Sequence, residues 1–298
     1  MMNDSNYLKT YKDFILFERR LSEHTVKNYF RDINLLMQLN KGVSLSSLKT
    51  SNIRTSISSL HAKGLSSNSL SRIISAWKSL FVFLIDQHKF KHNPVMEVKA
   101  PKKKKKLPQT LSVDQAIKLV EIEGDDFISL RDHAILELFY SSGLRLSELV
   151  NLKLEDINFS EEIISVLGKG KKMRIVPVGN KAIQSLQKWI NVRAQLKNIN
   201  DTSILFLTNK AKSLTQRAIQ YRLKFWAKKQ GLSENIHPHL LRHSFASHLL
   251  QSSQDLRAVQ ELLGHENISS TQIYTHLDFQ HLSKTYDQAH PRAKKQKK

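Results

Sequence analysis

Six residues of this chain, taken in order, have the side-chain types to act together on one phosphodiester: Arg145, Lys169, His239, Arg242, His265 and Tyr274. An arginine guanidinium points paired N–H groups at one anion. Cationic side chains in a pocket stabilise the charge that grows on non-bridging oxygens during attack. A lysine or histidine can protonate the leaving oxygen. A tyrosine hydroxyl can attack, splitting one hard step into two reversible ones. Such a cycle needs no divalent metal, because the arginines take its electrostatic role. It needs no nucleotide, because a phosphotyrosyl ester keeps the energy of the broken bond. The expectation is therefore no cofactor and no metal.

Each residue also has a plainer reading. Arg145 follows Gly143 and precedes Glu148 by three, a spacing common as helix decoration. Lys169 stands between two glycines, with Lys171 and Lys172 near enough to blur the assignment. His237-Pro238-His239 with Arg242 and His243 suggests a metal cluster, yet no carboxylate or cysteine completes it at ligand spacing. Gly264-His265-Glu266 is not a metalloprotease motif, because Ser269 stands where the second histidine belongs. A lone Tyr274 is more often core or surface than nucleophile. The set gains its meaning from company.

Elements must hold these residues in place. Gly143 stops one helix and Arg145 opens the next turn. A strand at 162–166 and another at 173–178, joined by Gly168-Lys169-Gly170-Lys171-Lys172, form a hairpin with a basic tip. Pro238 starts a helix that puts His239 and Arg242 three apart on one face. Asp255 caps a further helix that Gly264 ends, and His265 stands just beyond it. Helices are also expected at 112–121 and 131–140. Before residue 92 the pattern is helical throughout: Tyr7 to Leu21, a helix from a Ser22 N-cap to Leu39, Ser51 to Ala62 ending at Gly64, and one after Ser66 to His88. Arg19, Arg20, Lys27, Arg31, Arg72 and Lys78 are expected on its surface.

Ala100-Pro101 and Leu107-Pro108 enclose five lysines, Lys102 to Lys106, which reads as an extended linker. The domain expectation is 1–92, a linker 93–108 and a second domain 109–298. The charge is +21, from 47 basic and 26 acidic residues; the linker and the tail from Arg292 on each supply +5. The body remains near +11, beyond what solubility asks, so a polyanion, nucleic acid before an anionic membrane, is the expected partner. With no cysteine, disulfides and a thiolate nucleophile are excluded. No apolar run reaches the ~18 residues of a membrane span, and no secretory signal opens the chain, so a cytoplasmic protein is expected.

The set Arg145, Lys169, His239-Leu240-Leu241-Arg242, Leu262-Leu263-Gly264-His265 and Tyr274, spaced by 24, 70, 3, 23 and 9 positions, resembles the signature of the tyrosine recombinases of lambda-integrase type. The resemblance runs through nearly the whole chain. Residues 255–261, 271–282 and 286–293 are similar to the Xer branch, and to its member that works beside XerD. The resemblance implies a mainly α fold with a small β-sheet: an N-terminal SAM-like helical bundle that binds core DNA, and a C-terminal catalytic domain, closing as a C-shaped clamp. It implies Tyr274 as nucleophile, giving a 3′-phosphotyrosyl link and a free 5′-hydroxyl. Arg145 and Arg242 would hold the non-bridging oxygens, Lys169 would be the general acid, and His239 and His265 would support proton transfer. It further implies exchange through a Holliday junction at a dif site, in a cyclic heterotetramer of two XerD and two partner chains, activated by the FtsK translocase. Residues after about His281 would dock into a neighbouring protomer. A phage or transposon integrase, a type IB topoisomerase, and a DNA-binding architectural protein without activity remain the alternatives.

Overall fold

The computed structural model describes residues 3–102, 110–168, 173–196, 203–233, 235–263 and 285–293. The chain divides into two compact units, Met1–Leu107 and Pro108–Lys298.

The first unit is helical. It comprises α1 (Asp4–Asp13), a π-helical segment (Phe14–Glu18), α2 (Glu23–Leu39), α3 (Thr50–Ala62) and α4 (Ser67–His88). The Ser22 hydroxyl accepts the Thr25 N–H and Ser66 accepts that of Ser69, so both caps fall where serine precedes the apolar period. The first helix differs from the expected 7–21: it starts at Asp4, widens at Phe14 and ends at Glu18, where Arg20 turns to positive φ. Trp77, Phe81 and Leu84 of α4 bury against Ile33 and Leu36 of α2 and Tyr11 of α1. Arg72 departs from the surface expectation. It is half-buried and paired with Asp32, whose backbone carbonyl also accepts the Trp77 indole N–H at 2.6 Å.

The second unit is built around α6 (Phe127–Ser142), preceded by α5 (Val113–Val120). Helix α6 starts four residues before the expected Arg131, because Asp126 caps it by accepting the N–H groups of Ile128 and Ser129. It is buried on almost every side, as a central helix must be. Its buried acids are answered: Asp132 accepts from Arg131, Arg222 and the Trp226 indole, and Glu137 from Arg292. After it come α7 (Leu146–Val150), β1 (Ile157–Asn158), β2 (Ile163–Leu167), β3 (Met173–Pro177), α8 (Asn180–Arg193), α9 (Gln216–Lys229), α10 (Pro238–Ser253) and α11 (Leu256–Leu263). The strands form an antiparallel sheet in the order β1-β2-β3, with Ile164 opposite Val176 and Val166 opposite Arg174. The two-residue β1 lies at its far edge, beyond the expected hairpin.

Residues 285–289 are helical and pack on this same unit. The Tyr286 hydroxyl meets Ser141 Oγ at 2.9 Å, and the Arg292 guanidinium reaches Glu137 and, at 3.2 Å, Glu121. Among the described residues, no helix is long and apolar enough to cross a membrane.

Candidate active site

Three elements meet where α6 ends. The chain leaves α6 through Gly143, whose left-handed φ of +54° ends the helix. A Cβ there would stand 2.4 Å from the Phe245 ring, so the position requires glycine for space as well as for conformation. Two residues on, Arg145 occupies the N-cap position of α7, with extended backbone. Its backbone N–H donates to Glu148 Oε2 at 2.7 Å, and its Nη1 donates to Glu148 Oε1 at 2.8 Å. The Arg145–Glu148 pair expected from the sequence thus forms, inside a buried turn.

Arg242 comes from α10. One guanidinium nitrogen donates to the Gly143 carbonyl, the other to the Leu263 carbonyl at the end of α11. It therefore ties together the turn that carries Arg145 and the segment that leads to His265. Burial, then the Arg145 charge, lowers its pKa to about 10, partly offset by Glu148. At neutral pH it still carries its charge. His239 stands one turn earlier on α10, exposed, its ring 6.4 Å from that of His237. His237 accepts the Leu240 N–H as N-cap, and burial together with the His239 charge keeps its own pKa low.

A third guanidinium had no role in the sequence reading. Arg174 of β3 is buried and clasps Glu148 with two nitrogens at 2.7 and 2.8 Å, while its Nε donates to the Leu262 carbonyl at 3.3 Å. Its signal was present: strand alternation puts Arg174 on the same face as buried Val176, and a buried cation needs a buried anion. Glu148 thus receives four hydrogen bonds, two at each oxygen. Burial would raise its pKa, but the bonds from Arg174 and from the Arg145 N–H outweigh it and bring it to about 2. Three guanidiniums around one carboxylate leave a net positive pocket, which suits a phosphate oxygen.

Of the six expected site residues, the structure brings Arg145 and Arg242 together and places His239 on the helix of Arg242. Lys169, His265 and Tyr274 lie outside the described residues, as do Lys103–Lys106 and Lys294–Lys298.

Residues 109–281 match the family model "Phage integrase family", and residues 8–88 match "Phage integrase, N-terminal SAM-like domain". The chain belongs to the tyrosine recombinase family. It is 49% identical to the tyrosine recombinase XerC of Shewanella sp. (strain ANA-3), over 98% of this chain and 97% of that relative. The fold is shared with the Tn1549 transposon integrase solved in complex with circular intermediate DNA, at 22% identity and a TM-score of 0.72, covering 92% of this chain and 98% of that one. It is shared too with a lambda integrase dimer bound to a core site, at 20% identity and a TM-score of 0.68, covering 92% and 99%. The expected mainly α fold with a small sheet, a SAM-like unit and an integrase-type catalytic unit is what these matches and the structure show. This tyrosine recombinase is a strand-exchange enzyme.

Proposed function

We propose that this recombinase does the work of a XerC. It would cleave and rejoin DNA at a dif site together with XerD, in a cyclic heterotetramer driven by FtsK, and so resolve chromosome dimers in the cytoplasm before division. The single observation that carries this reading is the near-half identity to XerC over almost the whole of both chains. The paired guanidiniums support it. Arg145 and Arg242 converge on one turn, so the two clamp the non-bridging oxygens of the scissile phosphate. Tyr274 attacks the phosphorus, giving a 3′-phosphotyrosyl ester and releasing the 5′-oxygen, which Lys169 protonates. His239 and His265 assist proton transfer and bind the transition state. A 5′-hydroxyl from the partner strand then attacks the ester, and the second pair of strands follows through the Holliday junction.

A nicked suicide duplex carrying a dif site, incubated with the chain and XerD in EDTA, tests the chemistry. A covalent protein–DNA band is expected on a denaturing gel, and Tyr274→Phe should abolish it. A band that survives Tyr274→Phe, or no band with XerD present, would overturn the reading. Docking on a neighbouring protomer was expected of the residues after about His281; residues 285–293 pack on the chain's own unit, so we propose that role for the tail beyond Ala293. Deleting residues 294–298 should therefore reduce recombination on a paired-site plasmid while leaving the thermal midpoint unchanged, and full activity would count against that role.

A further inference from the structure

Arg174 forms a buried ion pair with Glu148 that a pair of apolar side chains could replace. It faces inward from β3, opposite Val166, among buried side chains. A buried ion pair of this kind is often neutral or unfavourable for stability against a hydrophobic residue of similar size. What it does offer is connection. Its fork spans both oxygens of Glu148, whose remaining lone pairs hold the backbone and side chain of Arg145. Its third nitrogen grips the Leu262 carbonyl, three residues before His265, and its strand begins four residues after Lys169. One side chain thus fixes the orientation of Arg145 and ties the strand that follows Lys169 in the chain to the helix that precedes His265.

We propose that Arg174 is a positioning residue for phosphoryl transfer, acting through Glu148 on Arg145. The inference rests on the reading of Arg145 as a phosphate clamp. Two effects follow from losing Arg174. The Arg145 guanidinium is no longer aimed, and Glu148 keeps a charge that only Arg145 answers, so the clamp offers less positive potential to the phosphate.

The test uses the full chain, XerD and the nicked dif duplex, with DNA affinity, thermal midpoint and the rate of covalent adduct formation at saturating DNA measured for each variant. Arg174→Met should lower the midpoint, because it leaves the buried Glu148 carboxylate short of a partner, yet well below that midpoint it should bind DNA within about threefold of the parent. Its cleavage rate should fall about 100-fold, the size of effect a misplacement near 1 Å produces. Arg174→Met with Glu148→Gln should regain part of that loss, because the orphaned charge is gone. On a duplex with a neutral methylphosphonate at the scissile position, the Arg174→Met penalty should shrink below about tenfold, because less charge then needs stabilising. Should Arg174→Met fail to fold, Arg174→Lys, which keeps the charge and loses the fork, carries the same comparison with an expected loss of about tenfold. Unchanged cleavage, a loss matched by falling affinity, or equal penalties on the charged and neutral phosphates would overturn the proposal. An adduct that persists in Tyr274→Phe would instead fail the underlying reading.

Discussion

Gly143 and Arg145 show how closely one turn is specified. A side chain at position 143 would need a positive φ, at about 1–2 kcal/mol, and would collide with Phe245, an overpacking worth about 1–3 kcal/mol. Gly143→Ala is expected to lower stability by about 2–5 kcal/mol on these grounds, read as a fall in the denaturant midpoint at unchanged m-value. It should also slow cleavage, since the Gly143 carbonyl anchors Arg242. A variant as stable and active as the parent would contradict the account. Glu148 illustrates the complementary point. Its carboxylate is stabilised in its charged form by Arg145 beside it and by Arg174 from β3, so its role cannot be judged from the Arg145–Glu148 spacing alone.

At the scale of the element, residues 285–293 are held by a buried aromatic stack. The His290 ring lies on Tyr286 at 5.0 Å, near Tyr140 and Phe245. Its Nδ1 accepts the Arg292 N–H, and burial, with the charges of His248 and Arg292 adding to it, pushes its pKa to about 3. A histidine whose folded pKa lies below its unfolded value of about 6.5 contributes stability that is complete above pH 6.5 and is lost as pH falls towards 3. Between pH 7 and pH 5 the loss should be about 2 kcal/mol. We expect it as a fall in thermal midpoint and as faster proteolysis near residue 285 in acid. His290→Gln should flatten that dependence; an equally steep one would assign the effect to other groups. Gly179 guards the same contact, since a Cβ there would stand 2.6 Å from the Arg292 carbonyl oxygen.

For the whole molecule, the excess of 21 positive charges sets the physics of binding. Each phosphate neutralised by a lysine or arginine releases counterions, so affinity for a dif duplex should fall linearly on a log–log plot against salt. For six to ten phosphate contacts the drop between 50 and 200 mM salt is about 10³- to 10⁵-fold. A filter-binding or fluorescence titration across that range checks it. A flat dependence would mean that base contacts and shape, rather than phosphates, supply the affinity.

Much of this molecule is legible from local chemistry. Serine caps before apolar periods set the starts of α2 and α4, and two β-rich runs close together in the chain pair as β2 and β3, because these signals act within a few residues. The ordered spacing of arginines, histidines and Tyr274 was likewise present in the sequence. The early start of α6, the widened end of α1 and the pairing of Arg72 with Asp32 were less visible. The first depends on an aspartate cap reaching over a non-periodic stretch. The last depends on two helices meeting. Only the tertiary structure could decide that Arg174 shares Glu148 with Arg145, or that Arg242 reaches back to Gly143 across 99 residues. A buried guanidinium is stable only beside the acceptors that packing brings to it, and those acceptors stand far away in the chain.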